Sequence, residues 1–387
     1  MTFTQREADG MSLDQYYLLG RSGLRVSRLA LGTMTFGTEG IRGIAGSWGA
    51  SKESSRAIFE RYIDAGGNFL DTADSYTGGT SETILGEFVA SAGLRDRVVI
   101  ATKFSNNLDT GNPNAGGNGR KNMMRAVEAS LRRLKTDYID LYFLHTWDRM
   151  TPAEEVMRTF DDLVRAGKIR YAGLSDVPGW YAARAQTWAE AHALTPPVGL
   201  QLPYSLVERS IEYEFVPLAQ NLGLGLTIWS PLGMGMLSGK YRPDQSGASG
   251  EGRLTMHKDS EGLGHFTPRN WQIVTTLEGV ARELGRSMAQ VAVNWVATQP
   301  GIAAAILGAS KSSQIDETLT ALDFTIPVEL RQRLDEVSAT PPAYPYALFT
   351  DKYQAGILSP GCTVGDKPEG YAPPLRAEKT SHFAFRK

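Results

Sequence analysis

A strand-then-helix alternation, sustained over most of the chain, most restricts what this sequence can fold into. Short apolar or β-branched runs fall at 28–31, 68–70, 98–101, 139–144, 169–174, 198–202, 224–229 and 302–307, eight in all. Amphipathic segments lie between them. One sets Val156, Phe160, Leu163 and Val164 at helical spacing and stops at Gly167. Ahead of it, Thr151-Pro152-Ala153-Glu154 reads as a threonine N-cap, a proline at the first helical position and a glutamate three residues after the cap. Another segment places Met124, Val127, Leu131 and Leu134 on one face. Helical segments are also expected at 272–284 and 287–298.

The strand ends form a ruler. Asp71, Lys103, His145, Ser175, Gln201 and Ser230 follow one another at intervals of 32, 42, 30, 26 and 29 residues, close to the ~30 residues of one βαβ step. The long interval contains a Gly/Asn-rich loop at 105–120, and the 78 residues from Ser230 to Gly308 contain a polar loop at 242–268. Eight such steps predict an α/β fold, a (β/α)8 TIM barrel. An open doubly wound sheet would need a Gly-x-Gly-x-x-Gly turn between strand and helix. Gly223-Leu224-Gly225 precedes a strand and has Ile228 at the third position, and Gly233-Met234-Gly235 has Ser238 there. Neither is a Rossmann fingerprint. The reading divides the chain into a tail at 1–15, one barrel at 16–338 that starts with a hairpin at 17–27, and a largely irregular C-terminal extension at 339–387.

Composition narrows the function classes. Forty basic residues against 42 acidic ones give a net charge of −2, which argues against a nucleic-acid partner. A single cysteine, Cys362, excludes a disulfide framework and a thiolate metal site. No run approaches the ~20 apolar residues of a membrane span, and the polar start has no signal-peptide core, so a cytoplasmic protein is expected. Oligomeric state has no signal in the sequence.

In a barrel of this kind the C-terminal strand ends converge on one mouth. That rule gathers Asp71, Lys103 and His145 from three successive strands, with Tyr76 in the loop after Asp71. A phenol is a poor acid at neutral pH, and a lysine held by a carboxylate is expected to lower its pKa. A neutral histidine donates a hydrogen bond to a carbonyl oxygen. Such a set suits protonation of an oxygen that is gaining negative charge. Because no side chain supplies hydride, a nicotinamide is implied.

The segments Asp71-Thr72-Ala73-Asp74-Ser75-Tyr76, Ala101-Thr102-Lys103 and Leu144-His145 resemble the catalytic tetrad of the aldo-keto reductase superfamily. Gly32-Thr33-Met34-Thr35-Phe36-Gly37 and Arg170-Tyr171-Ala172-Gly173-Leu174-Ser175 match the same family in the same order. The resemblance covers about residues 16–338, and its nearest branches are bacterial aryl-alcohol dehydrogenases and potassium-channel β subunits. It implies NADP(H) bound across the mouth without a Rossmann fold, and reversible reduction of an aldehyde or ketone. Tyr76 would be the general acid, with Lys103 and Asp71 tuning it and His145 orienting the carbonyl. Gly32, Thr33, Met34 and Asp71 would border the cofactor. Ser175, Asp176 and Gln201 would meet the carboxamide, and Trp229 would stack on the ring. Ser230, Leu232 and Gly233 resemble a pyrophosphate turn with Lys240 as a further cation. Gly308, Ser310, Lys311, Gln314 and Thr318 resemble the 2′-phosphate and adenine site. Two positions depart from the pattern. Asp176 stands where most relatives have asparagine, and a carboxylate donates nothing to a carboxamide oxygen unless protonated. Thr318 also stands where asparagine is common.

The substrate pocket is expected among Met34, Phe36, Trp48, Phe104, Trp147 and Tyr204, the apolar residues just past strand ends. Loops 38–50, 105–120 and 242–268 are candidate lids. Besides a general carbonyl reductase, the resemblance allows a keto-sugar reductase of a biosynthetic pathway, or a cofactor-binding regulatory subunit of the channel β type.

Overall fold

The computed structural model describes residues 13–38, 49–244, 248–250, 252, 254 and 266–362. Eight strands, β3 (Leu29–Gly32), β4 (Phe69–Asp71), β5 (Val99–Phe104), β6 (Ile139–Leu144), β7 (Ile169–Ser175), β8 (Pro197–Pro203), β9 (Gly225–Trp229) and β10 (Ile302–Gly308), close into a barrel in that order. Each pairs in parallel with the next, and β10 returns to β3 through Gly308 opposite Gly32. The eight runs found in the sequence each become one of these strands. Ahead of the barrel, β1 (Tyr16–Leu18) and β2 (Arg25–Ser27) form the expected antiparallel hairpin.

Because side chains along a strand alternate faces, strands β4–β9 sort most of their residues by parity, and β3 and β10 do so with the opposite parity. Even-numbered Leu70, Ile100, Tyr142, Leu144, Leu174, Leu200 and Ile228 belong to the core between strands and helices. Odd-numbered Phe69, Val99, Ala101, Leu141 and Phe143 belong to a separate interior core, with Tyr171 and Trp229 packed against it. The hairpin closes the N-terminal end of that interior with Leu19 and Val26, both fully buried. Gly20 makes this close approach possible. Its φ is +56°, and a Cβ there would lie 2.4 Å from the Val198 carbonyl and 2.6 Å from that of Gly223.

The helices between strands bury the faces their sequences mark. In Arg120–Leu134, Met123, Ala126, Val127, Leu131 and Leu134 are buried, with Met124 at the margin. Pro268–Leu284 and Met288–Ala297 occupy the long β9–β10 interval, the second opened by a Ser287–Gln290 capping box. One start differs from expectation. The helix after β6 is Ala153–Arg165, with Pro152 as its extended N-cap residue and no side-chain cap. Thr151 does not cap it: it is held by Asp148 instead, its hydroxyl donating to Oδ2 at 2.6 Å and its N–H to Oδ1 at 2.9 Å.

The 105–120 loop contains no helix or strand up to Arg120, yet it is internally cross-linked. Ser105 Oγ donates to Asn118 Oδ1 at 2.6 Å, and the Asn118 amide donates to the Thr146 carbonyl at 2.9 Å. Most of the other two candidate lids, together with Trp48 and the tail up to Ser12, lies outside the described residues. Past the barrel, Val328–Ser338 packs on Pro268–Leu284. Among the described residues of the extension, Asp351–Leu358 form a helix. No described helix is long and apolar enough to cross a membrane.

Candidate active site

Parity decides which side chains meet. Asp71, Lys103, His145, Ser175, Gln201 and Trp229 are all odd-numbered and all stand at or just beyond C-terminal strand ends, on the interior face at the mouth. Lys103 is the centre of the group. Its Nζ donates to Asp71 Oδ1 at 2.6 Å, to the Thr72 carbonyl at 2.8 Å and to the Tyr76 hydroxyl at 3.2 Å. The ion pair is almost sealed, with side-chain exposures of 0% for Lys103 and 3% for Asp71. Gln201 Nε2 donates to the other carboxylate oxygen, Asp71 Oδ2, at 2.8 Å. Asp71 is thereby satisfied from two sides, which a buried charge requires.

Tyr76 is partly open to the mouth. Its ring stands edge-to-face with that of His145, centroids 5.9 Å apart. The local chain arranges this: Thr77, Gly78 and Gly79 after it all have positive φ, and the Thr77 hydroxyl donates to the Phe36 carbonyl at 2.9 Å. The backbone N–H of His145 is fixed by the Phe104 carbonyl at 2.9 Å and by Ser105 Oγ at 3.1 Å. Asn106 Nδ2 lies 3.5 Å from His145 Nδ1, a long contact that favours the tautomer with its proton on Nε2.

The electrostatics follow from burial and one fixed cation. Desolvation and the Lys103 charge push the His145 imidazole down to about 3, and a far smaller depression would already keep it neutral at pH 7. Burial on its own would discharge Lys103, but Asp71 and Tyr76 together outweigh it and hold the ammonium above its ordinary value. The phenol differs from expectation. Lys103 does pull the Tyr76 pKa down, but burial pushes harder and the net shift is upward. The phenol is therefore held protonated until an acceptor draws the proton.

The remaining sequence-derived residues separate into those at the mouth and those inside the protein. Ser175 is opposite Gln201 in the β7–β8 register. Neither the Ser175 hydroxyl nor Gln201 Oε1 has a protein partner among the described residues, although both residues are buried. The Trp229 indole is partly open, and its N–H donates to Asp176 Oδ1 at 3.2 Å. Met34 and Trp147 are half-buried. Gly32 is a packing requirement: a Cβ would lie 2.7 Å from Ile306 Cγ2. Thr33 is fully buried and bonded to Ser81 Oγ at 2.8 Å. In the turn after β9, Ser230 Oγ accepts from the Met234 N–H, and the Gly233 and Gly235 N–H groups are spent on the Ser230 and Leu232 carbonyls. Leu232 is partly buried against the core. Lys240 lies over the Tyr241 ring, 5.0 Å from its centroid.

Gly308, the last residue of β10, and Lys311 just beyond it are exposed. Gln314 Oε1 accepts from the Ser310 and Lys311 N–H groups at 2.9 and 3.2 Å, so a side chain already covers the start of helix Ser312–Leu319. Thr318 is buried and donates to the Gln314 carbonyl at 2.9 Å.

Three residues expected in the substrate pocket are core. Phe104 is even-numbered, so it faces outward from β5 and stacks on Tyr142 at 5.1 Å. Tyr204 packs against Trp295 and donates to Glu212. Phe36 packs on Phe88. All three are 0% exposed. In their place at the rim stands Trp180, 57% exposed and edge-to-face with Trp147 at 5.5 Å, a residue the sequence analysis did not single out.

Sequence reasoning also missed a buried network behind the mouth. Glu82, fully buried, accepts from Thr102 Oγ1 at 2.5 Å and from Arg133 Nε at 2.6 Å. It braces the outward face of β5 directly behind Lys103. A further pattern went unread. The residue following each of β5, β7 and β9 has positive φ: Ser105 at 130°, Asp176 at 45° and Ser230 at 57°. These are uncommon conformations for non-glycine residues and gather at functional rims. Polar residues directly after interior strand runs were the available signal.

The molecule is thus a closed (β/α)8 barrel with a buried lysine tied at once to a carboxylate and a phenol at its C-terminal mouth. The family model "Aldo/keto reductase family" matches residues 28–339, and the chain belongs to that family of oxidoreductases. It is 35% identical to an uncharacterised oxidoreductase, YrpG, of Bacillus subtilis, over 85% of this chain and 99% of that one. It is 36% identical to a probable voltage-gated potassium channel subunit beta of Oryza sativa, covering 84% and 96%. It is 32% identical to an aryl-alcohol dehydrogenase [NADP(+)] of Phanerodontia chrysosporium, covering 88% and 91%.

Proposed function

We propose that this protein is an NADPH-dependent reductase of aldehydes and ketones, acting reversibly, with aromatic aldehydes among its substrates. The observation that carries the proposal is the single ammonium of Lys103, bonded to Asp71 at 2.6 Å and to the Tyr76 hydroxyl at 3.2 Å beside the His145 ring. The mouth has the donor set for a nicotinamide. An unpartnered serine hydroxyl and an unpartnered glutamine carbonyl stand side by side for a carboxamide, next to an open indole face for a ring. Exposed Lys311, which has no ion pair among the described residues, suits a phosphate. A bound NADPH supplies hydride.

The protein's own groups then manage the oxygen. His145, neutral, donates its Nε2–H to the carbonyl oxygen and orients it. As negative charge develops there, Tyr76 gives up its proton. The raised phenol pKa keeps that proton in place beforehand, and the Lys103 ammonium stabilises the phenolate left behind. Asp71, anchored by Gln201, keeps the ammonium charged and stationary. In oxidation the same phenolate takes the proton back. The half-buried Met34 and the Trp147–Trp180 pair support a planar apolar substrate, as does the aryl-alcohol dehydrogenase relative by name. The channel-subunit relative supports a second reading, a cofactor-binding regulatory module with little turnover.

The test is consumption of NADPH, read at 340 nm, with 4-nitrobenzaldehyde as substrate. Wild-type protein should turn over, and Tyr76→Phe should lose at least a hundredfold in kcat with NADPH affinity retained in a fluorescence titration. Undiminished turnover in Tyr76→Phe removes the phenol from its role. Tight NADPH binding without turnover by the wild type favours the regulatory reading.

A further inference from the structure

We infer that the Asp176 carboxylate gives this site a preference for the oxidised, cationic form of the nicotinamide over the reduced, neutral form. The inference rests on the nicotinamide reading above and goes beyond it by assigning one residue a choice between redox states. Asp176 directly follows Ser175 at the end of β7, and its backbone is pinned in the left-handed region at φ 45°. Its N–H donates to the Gln201 carbonyl at 3.3 Å, and its own carbonyl accepts from the Trp147 N–H at 3.2 Å. Its Oδ1 accepts from the Trp229 indole at 3.2 Å. The carboxylate is thus fixed at the edge of the ring-stacking indole, beside the serine and glutamine assigned to the carboxamide.

That charge is not cancelled on the spot. Among the described residues no lysine or arginine makes an ion pair with Asp176. The nearest functional cation, Lys103, is already committed to Asp71, Thr72 and Tyr76. The side chain is exposed to the open mouth, so a bound ring would cover it and strengthen its field. The two redox forms differ by one positive charge on the ring, and the other charges of the mouth, Lys103 and Asp71, are paired with each other at 2.6 Å. A fixed carboxylate discriminates between them, and an isosteric amide does not. At the dielectric of a half-open site, one neighbouring unit charge is worth about tenfold in affinity.

The experiment is equilibrium binding of NADP+ and NADPH separately, by quenching of intrinsic fluorescence at pH 7.5, to wild type, Asp176→Asn, Asp176→Gly and Trp229→Phe. The readout is the ratio Kd(NADPH)/Kd(NADP+). A merely structural role moves both constants together and leaves the ratio alone. Both Asp176 variants should lower the ratio about tenfold, because both remove the charge at a position whose backbone conformation Asn and Gly tolerate. Trp229→Phe removes both the stacking indole and the bond that fixes the carboxylate, so it should weaken both ligands and lower the ratio as well. An unchanged ratio in Asp176→Asn, with both nucleotides still bound, overturns the inference and leaves the proposed function standing. Failure of the wild type to bind either nucleotide overturns both.

Discussion

Replacing Lys103 by methionine tests whether the mouth is organised around one buried ammonium. The substitution nearly preserves the shape of the side chain but removes three donated hydrogen bonds, to Asp71, the Thr72 carbonyl and the Tyr76 hydroxyl. It leaves the Asp71 carboxylate, 2% exposed, with Gln201 as its remaining side-chain partner. Breaking a buried pair by deleting one member costs about 3–5 kcal/mol, mostly the uncompensated charge. The companion variant Asp71→Asn in the Lys103→Met background removes that charge while keeping an acceptor for Gln201. It should regain about 2 kcal/mol or more of the loss. Urea denaturation at pH 7.5, followed by far-UV circular dichroism and by tryptophan fluorescence, measures Lys103→Met, Asp71→Asn alone and the double variant against the wild type. A loss below about 1 kcal/mol in Lys103→Met, or losses that add within about 0.5 kcal/mol, would mean that the two groups do not depend on each other.

His145 carries a pH signature of definite sign. Its folded pKa is depressed to about 3, so between that value and the ordinary 6.5 the unfolded chain binds the extra proton and stability falls as pH drops. His145→Gln should therefore gain on the wild type in denaturation midpoint as pH is lowered from 7 to 5, and equal slopes for the two proteins would contradict the assignment. At the other end of the barrel, Gly20→Ala pushes a methyl into two backbone carbonyls at a left-handed residue. A destabilisation of about 2 kcal/mol or more is expected, and a midpoint within error of the wild type would mean that the hairpin does not seal the barrel. Asp176 also titrates: desolvation, opposed by the Trp229 hydrogen bond and Lys103, pushes its carboxyl up to about 6. The wild-type affinity ratio for the two redox forms should therefore approach that of Asp176→Asn as pH falls through 6. The 2′-phosphate titrates in the same range but is common to both ligands and cancels.

What the sequence made legible, and what it hid, divides along physical lines. Periodicity located all eight strands because each is a short apolar run buried on both faces, and the ~30-residue spacing fixed their parallel order. The convergence of Asp71, Tyr76, Lys103 and His145 followed from that topology and from the family motifs. The same alternation could have rejected Phe104, since the residue next to an inward Lys103 must point outward, and Tyr204 lies on the outward parity of β8 for the same reason. Thr151 looked like a cap because local pattern cannot see that Asp148 holds both its hydroxyl and its N–H. Long-range polar contacts were invisible in principle. Nothing local ties Gln201 to Asp71 across 130 positions, or Glu82 to Arg133 across 51. The upward pull on the Tyr76 proton was hidden as well, because it depends on how deeply the phenol is buried and not on which residues are near it.

The central claim, that the oxygen gathered by Tyr76, Lys103 and His145 accepts a proton while its carbon accepts hydride from a bound dihydronicotinamide, has one direct measurement. NADPH carrying deuterium at one or the other C4 position is incubated with the protein and 4-nitrobenzaldehyde, and the alcohol is weighed by mass spectrometry. The account predicts an alcohol one mass unit heavier from one of the two labelled cofactors, and unlabelled alcohol from the other. Alcohol without label from both, or no alcohol at all, would contradict it.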